Sequence, residues 1–129
     1  MKHVLLTMAL CSALSTYAQQ PGELLDRISP AMESGNAQAV ATYFRDEVML
    51  NIPDEKGTFS PTKARQKLAS FFRINQPSDF NILHQGTSQN NAQYIIGKLK
   101  SDKREFRTYL LIEGKANNQK LRIRELRFE

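Results

Sequence analysis

An α+β fold, with three helices in the first half of one small domain packed on a bent antiparallel sheet, is predicted by three observations on this 129-residue sequence. Apolar residues recur at helical spacing in three stretches before residue 75, whereas beyond residue 79 they alternate in four successive runs. The breaks between those four runs are short and polar, which suits antiparallel neighbours. Helices and strands are thus segregated along the chain, and each helix has one apolar stripe that a sheet face must cover.

Residues 1–18 stand outside that pattern. Met1-Lys2-His3 leads into an apolar run over 4–14, closed by Ser15-Thr16-Tyr17-Ala18 ahead of Gln19-Gln20-Pro21. A basic start, a short apolar middle and small residues before a polar break are the parts of a cleavable secretory signal. The run is 11 residues long, well short of the roughly 20 that cross a bilayer as a helix. The expectation is a signal peptide over 1–18, removed after Ala18, with no membrane span and a single mature domain over 19–129. Cys11, the one cysteine, lies inside the run directly after Leu10, a context unsuited to lipid attachment. A mature chain without cysteine excludes disulfides, thiol nucleophiles and thiolate metal sites.

The elements follow in order. Leu24, Leu25, Ile28, Ala31 and Met32 share one face of a helix over 21–34, with Pro21 suited to its first turn and Gly35 to the left-handed residue after its end. Asn36 can cap a second short helix running through Val40, Tyr43 and Phe44, which makes a helical hairpin. Val48, Leu50 and Ile52 alternate with Met49 and Asn51 as a strand, a turn over 53–57 follows, and Thr58-Phe59 is extended. Ser60-Pro61 is an N-cap with proline at the first helical position. It opens a third helix whose stripe is Ala64, Leu68, Phe71 and Phe72 and which Asn75-Gln76-Pro77 stops. Strands are read over 80–86, 93–100, 105–113 and 120–128, with turns at 89–91, 101–103 and 114–119. In the last strand Leu121 and Ile123 give way to Leu126 and Phe128, a slip that predicts a β-bulge near Arg124-Glu125 and a bend in the sheet.

This order of elements resembles the nuclear transport factor 2-like (cystatin-like) superfamily, carried by the Ser34-Gly35-Asn36-Ala37 link, the Ala41-Thr42-Tyr43-Phe44 to Val48-Met49-Leu50 run and the closing Leu121-Arg122-Ile123-Arg124-Glu125-Leu126. The resemblance covers nearly the whole mature chain and is nearest to secreted bacterial domains of this size. It implies a cone in which three helices sit in a bent sheet around a pocket. Enzymes of that fold place Asp or His-Asp pairs in the cone, and no such pair can be matched here; the last strand opens with Leu121 where many relatives have tryptophan. The resemblance therefore implies fold and pocket without implying catalysis.

Charge is uneven along the chain. Residues 19–55 hold two basic and seven acidic groups, whereas 56–129 hold fifteen and six. Lys98, Lys100, Lys103, Arg104, Arg107, Arg122, Arg124 and Arg127 crowd the last three strands, which could form a stripe for an anionic polymer or simply solvate the sheet. Export makes nucleic acid an unsuitable partner. His84 is the single histidine of the mature chain and shares a face with Phe80 and Ile82 on strict alternation; beside a carboxylate it could act as a general base. Asp46-Glu47 and Asp54-Glu55 sit where solvated charges belong, and no calcium-loop spacing, Gly-x-Ser-x-Gly turn or Gly-rich phosphate loop occurs. No metal and no cofactor is expected.

Tyr43, His84, Tyr94 and Tyr109 are the pocket candidates, since each joins an apolar ring to a polar tip that wants a partner. The sequence thus points to an exported, non-catalytic binding domain for a small ligand or an envelope partner. The alternatives are a small enzyme using the cone with His84 as base, and a basic surface binder. Apolar residues in both alternation sets of the strands, among them Ile95, Leu99, Tyr109 and Leu111, further predict a homodimer through the sheet face left bare by the helices. Mass spectrometry of protein from its native host should show a chain beginning at or within a few residues of Gln19; full-length chain in the cytoplasm would overturn the export expectation.

Overall fold

The structure, a computed structural model, describes residues 21–114 and 121–129. Among these it has helices α1 (Pro21–Glu33), α2 (Ala37–Ala41) and α3 (Pro61–Ile74), and strands β1 (Phe44–Ile52), β2 (Glu55–Phe59), β3 (Pro77–Thr87), β4 (Gln93–Ser101), β5 (Glu105–Glu113) and β6 (Arg122–Phe128). The six strands form one open sheet in the order β2-β1-β6-β5-β4-β3, antiparallel except where β1 and β6 run parallel. This is the predicted α+β arrangement of three helices on a bent sheet. The signal-peptide expectation over 1–18 and most of the 114–119 turn lie outside the described residues, and among the described residues no helix is long and apolar enough to cross a membrane.

Local chemistry sets the helix limits. Gly35, with φ 67°, follows α1 in the left-handed conformation; its N–H bonds the Met32 carbonyl and the Asn36 N–H bonds that of Ala31, closing a Schellman turn. The Asn36 side chain then accepts from Ala39 N–H at 3.0 Å to start α2, and Ser60 Oγ accepts from Lys63 N–H at 3.3 Å to start α3, with Pro61 at its first position. The second helix stops earlier than its apolar spacing predicts. Tyr43 lies outside it because its carbonyl accepts from Ile123 N–H at 2.6 Å, and Phe44 pairs with Ile123 as the first residue of β1. The ladder to β6 takes the two residues that helical periodicity had claimed. Similarly, the 53–57 turn shrinks to Pro53-Asp54 because Glu55 already pairs with Ile52.

The apolar stripes meet on the helix side of the sheet. Leu24, Ile28, Met32, Val40, Val48, Leu50, Leu68, Ile95, Leu99, Phe106, Leu110, Ile123, Leu126 and Phe128 are all essentially excluded from solvent. Phe71 of α3 stacks on Phe128 of β6 (centroids 4.6 Å apart, planes at 25°) and meets Phe106 of β5 edge-on (5.0 Å, 72°). Register shifts occur in the β1–β6, β3–β4 and β5–β6 pairings, and two of them matter here. The one in β6 leaves Arg124 unpaired opposite the Leu111–Ile112 step of β5, where the slip in alternation places it. In β3, besides a shift between Pro77 and Asp79, one falls between Ile82 and His84, so Leu83 is an extra residue against β4.

Emptying the Phe71 site removes the ring that ties α3 to both central strands. Phe71→Ala should lower stability by about 3–5 kcal/mol in chemical denaturation, and a variant unfolding like the parent would show α3 to be peripheral.

Candidate functional site

The β3 bulge decides where His84 points. Phe80 pairs with Leu99 and Ile82 with Gly97, on the helix side; past the inserted Leu83, His84 pairs with Ile96 and Gly86 with Tyr94, on the opposite side. His84 therefore does not share a face with Phe80 and Ile82, contrary to strict alternation. Across β4 and β5, Tyr94 pairs with Leu111 and Ile96 with Tyr109. Three of the four predicted pocket residues, His84, Tyr94 and Tyr109, are thus gathered on the helix-free face. Tyr43 stays apart, half-buried against the core in the turn just before β1.

On that outer face the Tyr94 ring lies over Gly86, where a Cβ would come within 2.4 Å of it, and its hydroxyl is 3.2 Å from His84 Nε2. No carboxylate lies within hydrogen-bond distance of His84 among the described residues. The Arg127 guanidinium covers Tyr109, 4.2 Å from its centroid. Leu83 and Met49 are 61% and 47% exposed toward opposite edges of the sheet, with Ile96 and Leu111 half-buried on strands between them. Glu125, paired with both Met49 and Leu111, and Arg127 set charges of both signs among these apolar residues.

The basic residues do not form one free stripe. Lys98 and Lys100 face Glu105 at 3.4 and 3.9 Å, Arg124 meets Glu113 at 3.3 Å, and Arg127 meets Glu125 at 3.2 Å. Arg122 donates to the Thr42 carbonyl at 2.8 Å, toward the end of α2. Arg104 turns the other way, its guanidinium 4.3 Å from the Phe106 centroid. Among the described residues no group of three or more His, Asp and Glu is placed to hold a metal ion.

The cavity at the mouth of the cone was not legible as a site in the sequence. It lies between α3, the β1–β2 turn and the β4–β5 turn, with a volume of about 480 Å³. Ile52, Phe71, Ile74 and Phe106 give it an apolar floor, while Gln66, Ser70, Asn75 and Arg104 supply polar groups at the rim. Ile74 is 55% exposed at the last turn of α3. Opposite Arg104, Lys67 pairs with Glu55 and lies 4.8 Å from the Phe59 centroid, joining α3 to β2. Asp54 also lines the cleft and has no ion-pair partner among the described residues. An apolar floor with a few convergent polar groups is the usual form of a small-molecule site.

A family model described as a domain of unknown function, DUF4783, matches residues 25–129. Crystal structures of two DUF4783 family proteins are similar to this chain. The one from Bacteroides fragilis is 28% identical over 79% of this chain and 93% of its own, with a TM-score of 0.70. The one from Bacteroides uniformis is 26% identical over 81% and 94%, with a TM-score of 0.72. An NTF2-like protein of unknown function from Cytophaga hutchinsonii shares the fold at 10% identity, covering 88% of this chain and 92% of its own at a TM-score of 0.60. No curated protein matches.

Proposed function

The chain belongs to the DUF4783 family, a domain of unknown function, and on that premise we propose that it is an exported, non-catalytic binding domain, secreted or periplasmic, whose cone-mouth cleft takes a small ligand. The observation that carries the reading is the cleft of about 480 Å³ with Phe71 and Phe106 in its floor and Ser70, Asn75 and Arg104 at its rim. Acid-base chemistry has less support: His84 is paired with the Tyr94 hydroxyl on the far face of the sheet and has no carboxylate beside it. A surface for anionic polymers has less still, because the bases are divided between faces and most are already paired.

Ser70→Trp fills the cleft from α3 and tests the reading. A thermal-shift screen of small metabolites, sterols and glycan fragments should find compounds that raise the melting temperature of the parent, of His84→Ala and of Tyr94→Phe, but not of Ser70→Trp. Stabilisation that survives Ser70→Trp and is lost in His84→Ala would move the site to the outer face, and turnover abolished by His84→Ala would replace the binder with an enzyme.

The same reading includes a homodimer through the helix-free face. Strands of 5 to 11 residues at about 3.3 Å per residue and spacings of about 4.8 Å give a face of about 800 Å², close to the roughly 800 Å² each partner contributes to a standard interface. Charges of both signs stand on this face, Lys98 beside Glu105 and Arg124 beside Glu113, so a twofold can set unlike charges together. Light scattering at tens of micromolar should give a dimer, and Leu83→Asp with Ile96→Lys a monomer that still melts cooperatively. A monomeric parent would overturn this part.

A further inference from the structure

We propose that the cone-mouth cleft selects ligands carrying an anionic head on an apolar body, and that Arg104 reads the head; the inference rests on the reading that the cleft binds a small ligand. Arg104 sits in the β4–β5 turn, and its backbone is held from two sides. Ser101 Oγ accepts from Lys103 N–H at 3.2 Å and from Arg104 N–H at 3.1 Å, and donates to the Arg104 carbonyl at 2.7 Å. The Arg104 carbonyl also accepts from Ser101 N–H at 3.0 Å. The turn is in turn docked on the chain just after α3: Asp102 N–H donates to the Gln76 carbonyl at 3.0 Å, and Gln76 N–H donates to Asp102 Oδ1 at 3.1 Å.

The guanidinium that this turn presents has no acidic partner among the described residues. Asp102 is engaged with Gln76, Glu105 with Lys98 and Lys100 on the outer face, and Glu55 with Lys67 across the cleft, while Asp54 lines the cleft without pairing with it. It lies instead on Phe106, a ring 1% exposed that meets Phe71 in the cleft floor. An arginine stacked in this way keeps its planar fork of donors at its edge, where a carboxylate, sulfonate or phosphate can take two parallel bonds. The cleft's other unpaired charge, Asp54, repels an anion from the opposite rim and so fixes the ligand's direction. The head meets Arg104, and the apolar body lies along Ile52, Phe71 and Ile74.

Two probes with one ring framework test the assignment: anilinonaphthalenesulfonate, and N-phenylnaphthylamine, which lacks the sulfonate. Fluorescence titrations of the parent, Arg104→Met and Ser70→Trp, each checked for a cooperative melt, read the two dissociation constants. The parent should favour the sulfonate by about fivefold, the scale of one exposed ion pair in good geometry. Arg104→Met should abolish that preference by weakening the sulfonate alone, and Ser70→Trp should weaken both probes. Equal affinities in the parent, or an Arg104→Met variant that keeps the preference while Ser70→Trp weakens both probes, would overturn the role of Arg104 and leave the cleft standing. Neither probe binding the parent, or both binding Ser70→Trp unchanged, would overturn the cleft reading and this inference with it.

Discussion

Phe71 is the contact on which the rest of the arrangement depends. Its ring is stacked on Phe128 and edge-on to Phe106, so one side chain of α3 fixes the helix against β6 and β5, the two central neighbours of the sheet. Aromatic contacts of this kind add about 0.5–1.5 kcal/mol each beyond the area they bury. They also constrain position, because a ring held at two different angles leaves the helix no freedom to slide. The depth of α3 in the cone follows, as do the point where Ile74 emerges into solvent and the distance left between the helix end and the β4–β5 turn. That distance is the cleft.

The bends in the sheet decide the direction of side chains. A strand that gains one residue turns every later side chain to the other face. In β6 the extra residue is Arg124, and the shift lets Ile123 and Leu126 both reach the core although they are an odd number of positions apart. In β3 the extra residue is Leu83, and the shift sends His84 away from the helices to meet Tyr94. Gly86 completes that pair, since the Tyr94 ring occupies the space a Cβ would need. The imidazole that the sequence offers for chemistry in the cone is thereby placed outside it.

What was legible in the sequence was what local chemistry dictates. The caps at Asn36 and Ser60, the turn at Gly35, the stripe Ala64, Leu68, Phe71 and Phe72 and the slip near Arg124 all carry their signal within a few residues. Two features were not legible because they are decided by a distant partner. Whether Tyr43 and Phe44 continue a helix depends on Ile123, far along the chain, offering an amide to the Tyr43 carbonyl. The β3 bulge has no signature in the run Phe80 to Gly86, because Leu83 is an ordinary apolar residue whose exposure only the pairing with β4 determines. The candidate site lies in the same class. Its floor and rim come from α3, β1, the β1–β2 turn, the β4–β5 turn and β5, and the residues that look chemical in isolation, His84 and the tyrosines, are elsewhere.

The position of the cleft follows from how completely the cone is filled. Above Phe71, the core between helices and sheet is occupied by large side chains with almost no exposure, among them Leu24, Ile28, Met32, Leu68 and Leu99, so little room for a guest is left there. Below Phe71 the filling stops, because Asn75 caps α3 and the chain turns away into β3. Closure at that end is left to the β4–β5 turn, which is tied to the chain just after α3 by the two bonds between Asp102 and Gln76. Hydrogen bonds of this kind set a spacing without filling it. An open hollow floored by Phe71 and Phe106 is what remains, and the turn that frames it is the one that presents Arg104. The contact that fixes the fold and the space available to a ligand are therefore two sides of the same ring.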